Sequence, residues 1–198
     1  MKILKDLKYL IMLTAVAVVL LATVILTGCD GEFAAQYEFD DFVVRAETGD
    51  ETIGGASTRL LDKEDNRVHN IALVVDKLNG TIIQPGDKFS FNDSVGERSE
   101  ERGFREATAL FGKEKIRAFG GGVCQVSTTI YQAARNAGLE IEERHQHKKK
   151  IPYAEVGEDA TVDFAADFDL VFENSTDRPI EIIVSRDEDH VHVTIDKV

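Results

Sequence analysis

Apolar residues recur at helical spacing in two stretches of the chain and alternate with polar residues in several others. From Asp65 to Leu78, the residues Val68, Ile71, Val74, Val75 and Leu78 share one face at a period of 3.6, with Asp65 placed as N-cap and Asn79-Gly80 as the stop. Val123, Val126, Ile130, Ala133, Ala134 and Ala137 repeat the pattern, and Gly138 supplies its C-terminal signal. Leu139 and Ile141 then alternate with Glu140 and Glu142, as a strand with one buried face requires. Continued, that strand carries Glu143, His145 and His147 on the side of Leu139 and Ile141. Short strands are predicted at 81–83 and 89–91, around the turn signal Pro85-Gly86, and at 160–164, 169–172, 180–184 and 191–195. The charged stretch 93–106, with Gly96 and Gly103, reads as a surface loop, and 30–58 reads as a polar tether holding one short strand near Phe39, Phe42, Val43 and Val44. The pattern as a whole predicts an α+β fold, with the helix that begins near residue 123 as a core helix on a mainly antiparallel sheet.

The N-terminus changes the picture by removing part of the chain from the fold. Lys2, Lys5 and Lys8 precede an apolar run from Tyr9 to Leu26, the layout of an export signal. The run ends in Leu26-Thr27-Gly28-Cys29, which resembles a lipobox, so cleavage before Cys29 and lipidation of its sulfur are expected. An uncleaved membrane span is the other reading of this run. Both leave the long acidic part outside the cytoplasmic membrane, because the positive cluster lies N-terminal to the run. The chain thus divides into a signal peptide at 1–28, a tether with its first short strand at 29–54, and one domain at 55–198.

Charge restricts the partners. The net charge is -13, and the first 28 residues hold three lysines against one aspartate, so the remainder carries -15. Such a surface opposes nucleic acid and other polyanions. With two cysteines in the chain, a disulfide-stapled scaffold is excluded, and lipidation of Cys29 leaves Cys124 without a partner.

Cys124 follows three glycines and stands in the first turn of the second predicted helix. The helix dipole and the unpaired N–H groups there favour a thiolate. The loop and first-turn residues Gly121, Gly122, Val123, Gln125 and Ser127 are the candidates for approaching a substrate and facing an oxyanion. A cysteine nucleophile needs a base and the base needs an acceptor. His145 and His147 are the candidate bases, and Asp159, Asp163, Asp167 and Asp169 the candidate acids. The order Cys-His-Asp is that of papain-like and transglutaminase-like folds. The plainer readings are a cysteine acting as a small core residue and glycines marking only a tight turn. Metal binding by His145 and His147 at i, i+2 is the weaker third reading. His69 reads as structural, His190 and His192 as solvated. Lys148-Lys149-Lys150 is the one concentrated positive site, able to meet a carboxylate substrate beside His147.

At these residues the chain resembles the VanW family. The resemblance starts near Ser57-Thr58 and runs through "NRVHNIALVVDKLNGTIIQPGDKFSFNDSVGERSEERGF", "GGGVCQVSTTIYQAARNAGLEIEERHQH", "IPYAEVGEDATV" and "DLVFENSTDRPIEI". It implies a cell-envelope protein linked to glycopeptide resistance, acting on peptidoglycan stem peptides as an L,D-transpeptidase-like cysteine acyl-transferase. Cys124 is then the nucleophile, His147 the base in preference to His145, and Asp159 or Asp169 the orienting acid, with no cofactor or metal required. Where the family commonly runs Ser-aromatic-Pro, this chain has three lysines. The alternatives are a non-catalytic envelope-binding or scaffolding domain, and a cysteine peptidase or amidase on the same pair of residues.

Overall fold

A four-stranded antiparallel sheet with two helices packed on it forms the largest element of the computed structural model, which describes residues 51–112 and 114–198. The expected signal peptide, Cys29 and the strand expected near Phe39 to Val44 lie outside the described residues. In chain order the elements are β1 (Glu51–Arg59), α1 (Asp65–Leu78), β2 (Thr81–Ile83), β3 (Lys88–Ser90), α2 (Phe91–Val95), β4 (Glu106–Phe111), β5 (Glu114–Phe119), α3 (Val123–Asn136), β6 (Glu140–Glu143), β7 (Val171–Glu173), β8 (Ile180–Arg186) and β9 (His190–Lys197). The large sheet runs β1-β9-β8-β2, a second runs β3-β7-β6, and β4 pairs with β5 as a hairpin. Every strand pair is antiparallel. The protein is therefore α+β, as the periodicities predict.

The two helices fall where their apolar faces place them. Ile71, Val74, Val75 and Leu78 of α1 and Val126, Ile130, Ala133 and Ala134 of α3 are buried against the inward residues of the large sheet: Ile180, Ile182, Val184, Val191, Val193 and Ile195. Asp65 is the first residue of α1 rather than its cap, and Gly138 follows α3 at φ 73°. Burial of these alternating β8 and β9 residues fixes the register, because a one-residue slip would turn them all to water.

Three expectations need correction. The tether reading fails from Glu51 onward, where "ETIGGASTR" forms β1 and pairs with β9 along its length. That strand lacks apolar alternation because α3 lies almost on its backbone. A methyl at Gly54 would come 2.5 Å from both the Ala133 carbonyl oxygen and the Ala137 nitrogen. Gly54→Ala is thus expected to force β1 from α3 and cost about 1–3 kcal/mol, the range for overpacking, as a lowered denaturation midpoint at unchanged m-value. The loop expected at 93–106 contains the end of α2, a turn of 3-10 helix at Glu100–Arg102 and the fully buried Phe104. The hairpin β4–β5 that follows carries no strand pattern, since β5 is almost wholly exposed and three of its six residues are charged. Finally, the strand expected at 160–164 is reduced to isolated bridges, His145 with Thr161 and Asp163 with Phe168, and the one expected at 169–172 is β7. The region is held by side chains instead.

Candidate active site

The segment 158–162 lies along α3 because polar residues of the helix bind its backbone. Ser127 Oγ donates to the Ala160 carbonyl at 2.8 Å, Thr128 Oγ1 accepts from Ala160 N at 3.1 Å, and Gln132 Nε2 donates to Glu158 O at 2.9 Å. Ser127, Thr128 and Ala160 are buried, so each bond replaces one that water cannot make. This docking brings Thr161 and Val162 to the thiol: Cys124 Sγ lies 3.6 Å from Thr161 Oγ1 and 3.5 Å from the Val162 carbonyl oxygen. It also fixes Asp159 at the end of the same segment.

Asp159 holds His147 twice. Its Oδ2 accepts from His147 Nδ1 at 2.6 Å and from the His147 backbone N–H at 2.7 Å. Both side chains are 7 % exposed, so little water competes for the pair. Arg144 braces the acid from behind, donating Nε to the Asp159 carbonyl at 2.6 Å and Nη2 to Gly157 O at 2.8 Å, while its guanidinium lies 4.6 Å from the centre of the Tyr131 ring. With Nδ1 committed to Asp159, Nε2 is the nitrogen left for the sulfur.

The thiol and the imidazole shift each other. Burial pushes the Cys124 thiol up, but the adjacent His147 outweighs it, helped by the backbone of Val162 and by Thr161, so the thiol titrates below the ordinary thiol range. Burial pushes His147 down, but Cys124 and then Asp159 outweigh it and hold the imidazole above its ordinary value. Both directions favour a thiolate beside an imidazolium. Each group thus favours the charged form of the other, as an activated cysteine requires.

The other candidates lie elsewhere. His145 binds Glu143 at 2.8 Å and stacks on Phe168 at 4.3 Å, so the two histidines do not converge as metal ligands. Asp169 accepts from Ser90 Oγ at 2.5 Å and from Asn92 N at 2.9 Å, fixing the start of α2 rather than a histidine. Asp163 accepts from Ala165 N and Ala166 N in an exposed turn, and Asp167 is exposed at φ 55°. Lys148, Lys149 and Lys150 are exposed. His69 meets the Gly103 carbonyl at 2.9 Å. His190 and His192, expected as solvated, gather around Asp187, with His192 Nε2 at 2.9 Å from its carboxylate.

Among the candidate oxyanion groups the structure removes several. The N–H groups of Gly121, Val123 and Gln125 donate to the carbonyls of Ala118, Gly120 and Gly122. The Gln125 side chain is buried, donating to Arg59 O at 2.9 Å and to Thr58 Oγ1 at 3.2 Å, and Ser127 Oγ is spent on Ala160. These groups are engaged because the glycine turn closes on itself before the helix begins. Gly122 N and Cys124 N are the first-turn amides without a backbone acceptor among the described residues.

Thr161, Val162 and Arg144 escaped the sequence reading. The acid and the sulfur's neighbours share one segment, "DATV", with no periodicity to mark it. Arg67, whose Nη2 donates to Gln125 Oε1 at 3.0 Å, could have been found. It stands four residues before Ile71 on the apolar stripe of α1, a position where a charge needs a reason.

Taken together, these elements define an α+β protein in which a buried aspartate–histidine pair lies within electrostatic reach of a cysteine at the start of a core helix. Residues 66–196 match a family described as VanW like protein. A protein of Bacillus subtilis (strain 168), "Uncharacterized protein YoaR", is 34% identical over 146 residues, covering 74% of this chain and 48% of its own length. The "Vancomycin B-type resistance protein VanW" of Enterococcus faecalis (strain ATCC 700802 / V583) is 28% identical over 132 residues, 65% of this chain and 48% of that protein. The chain belongs to the VanW family, and it spans about half the length of these relatives. No solved structure matches it.

Proposed function

We propose that this chain is a cell-envelope cysteine acyl-transferase acting on peptidoglycan stem peptides, held at the outer face of the cytoplasmic membrane by a lipid on Cys29. The observation that carries the reading is the bond from the Asp159 carboxylate to His147 Nδ1, in a histidine whose charge holds the Cys124 thiol down. The envelope assignment is supported by the export signal and by the vancomycin-resistance name of the Enterococcus faecalis relative.

In this reading the Cys124 thiolate attacks the carbonyl between the third and fourth residues of a stem peptide. The oxyanion is met by the N–H groups of Gly122 and Cys124 at the positive end of α3. His147 protonates the departing D-amino acid, leaving a thioester on Cys124. It then takes a proton from an incoming amine or from water as that nucleophile attacks the thioester; the C–S bond breaks, Cys124 leaves as the thiolate, and the product is a cross-link or the shortened peptide. Asp159 keeps Nδ1–H bound throughout, so Nε2 faces the sulfur at every step.

Full-length protein in detergent is therefore expected to release the terminal D-amino acid from a tetrapeptide stem, and Cys124→Ala to release none. Product masses with and without an added amine separate transfer from hydrolysis. Failure of the wild-type protein to release it would contradict the reading.

The pH profile follows from the two shifts. The reactive thiolate and imidazolium coexist above the Cys124 pKa and below that of His147. Because Cys124 is lowered, the acid limb of kcat/KM should lie below the ordinary thiol range. Because His147 is raised, the alkaline limb should lie above the ordinary imidazole value. A profile that rises only where an isolated thiol ionises would contradict the pairing.

A further inference from the structure

The three glycines ahead of α3 leave room for arginine. A methyl at Gly120 would stand 2.7 Å from Arg98 Cγ, and one at Gly122 would stand 2.9 Å from Arg67 Cγ. Gly121 is pressed instead on the Ala107 backbone, at 2.7 Å by the same measure, and its carbonyl accepts from buried Asn70. Two arginine stems therefore lie against the turn that leads into Cys124, one at its first glycine and one at its last.

Neither guanidinium is hydrogen-bonded to a carboxylate among the described residues. Arg67 Nη2 donates to Gln125 Oε1 at 3.0 Å, but its Nε is buried with no acceptor. Arg98 Nη1 donates to Gly96 O at 2.8 Å and the group lies 5.4 Å from the Phe91 ring centre, while its Nη2 is likewise buried without an acceptor. Among the described residues neither arginine forms an ion pair, although the chain holds 36 acidic against 23 basic residues. Buried donors on a charged group left unpaired are costly, and such groups in native proteins call for an explanation. Burial pushes the Arg98 guanidinium down and Cys124 raises it again ahead of Asp169 and Asp163, which puts Arg98 within electrostatic reach of the sulfur.

We propose that Arg67 and Arg98 form a carboxylate subsite at the glycine turn that leads into Cys124, which reads the free C-terminal carboxylate of the residue that leaves. This rests on the acyl-transfer reading above and narrows its substrate. Planar guanidinium groups match a carboxylate with paired hydrogen bonds, so a chain that continues, or ends in an amide, loses those bonds and leaves the donors unpaired. The enzyme then acts at free peptide tails and not at internal links.

The test compares iodoacetate with iodoacetamide on the full-length protein, with labelling at Cys124 measured by peptide mass. In both reactions the sulfur forms a bond to carbon and iodide leaves; the reagents differ in their carboxylate. The ratio of iodoacetate to iodoacetamide rates should fall roughly tenfold in Arg67→Gln and in Arg98→Gln, the scale of a lost charge-assisted hydrogen bond. Arg67→Lys and Arg98→Lys, which keep the charge, should retain an intermediate ratio. In the wild type, a tetrapeptide stem with a free C-terminus should protect Cys124 from iodoacetamide at about tenfold lower concentration than its C-terminal amide, a comparison that needs no variant to fold. An unchanged ratio in folded Gln variants, or equal protection by acid and amide, would overturn the subsite and leave Cys124 as a nucleophile. Failure of both reagents to label Cys124 would overturn the nucleophile and the subsite together.

Discussion

Replacing His147 with alanine is expected to slow acyl transfer by about 10²–10⁴-fold, the usual worth of a positioned acid and base, while slowing alkylation of Cys124 by iodoacetamide only several-fold. The two rates separate because they use the histidine differently. Alkylation needs only the thiolate. Without His147, the thiol loses the strongest group that opposes its burial, so it titrates higher and less thiolate is present near neutral pH. A thiolate of higher pKa is also the better nucleophile, with a slope of about 0.4–0.5, so roughly half of that loss returns on a logarithmic scale. Acyl transfer has no such recovery, since the leaving amine still lacks its proton. Stopped-flow alkylation beside D-amino acid release measures both rates on one preparation. Equal losses in the two would mean that His147 acts only on the thiol.

Asp159→Asn should cost acyl transfer about 10²–10⁴-fold as well, with little change in size or shape. The asparagine amide can donate to His147 Nδ1, which the carboxylate cannot. That places the remaining ring proton on Nε2, the nitrogen left free by the bond at Nδ1, and removes its capacity to accept a proton. The substitution also weakens the bond from the His147 backbone N–H, now 2.7 Å long, so the imidazole loses a second restraint. Thermal unfolding separates this effect from a general loss of structure: the variant should stay folded at assay temperature, with the acid limb of its pH profile moved upward. An active Asp159→Asn would remove the acid from the account.

Much of this arrangement could be read from residue order alone. The helix bearing Cys124 follows from an apolar stripe that a strand could not bury, and α1 follows for the same reason. Sequence order favours His147, which precedes the acid-bearing segment more closely than His145. The strand reading behind it was wrong, however. β6 ends at Glu143, and His147 is positioned by Asp159 rather than by a sheet. The choice between Asp159 and Asp169 was not available from sequence. Both acids are buried beside short apolar stretches, and only the docking of residues 158–162 on Ser127, Thr128 and Gln132 of α3 sends one to the histidine. β1 was missed because its signal had been removed by close packing, since Gly54 occupies a position where a larger residue would mark a strand.

The glycines were read as clearance for substrate and a source of oxyanion donors. Most of the N–H groups of that turn are engaged within it, and the space beside Gly120 and Gly122 is filled by Arg98 and Arg67. That outcome depended on residues 20 to 60 positions upstream, which no local pattern connects to the turn.

The central claim is that Cys124 carries the acyl group. Its most direct test is the intact mass of the full-length protein quenched in acid during turnover of a tetrapeptide stem. The account predicts an added mass equal to the tripeptide acyl group, mapped to Cys124 and absent from Cys124→Ala. A protein whose Cys124 alkylates readily, yet carries no such mass at any quench time while the stem peptide is consumed, would contradict it.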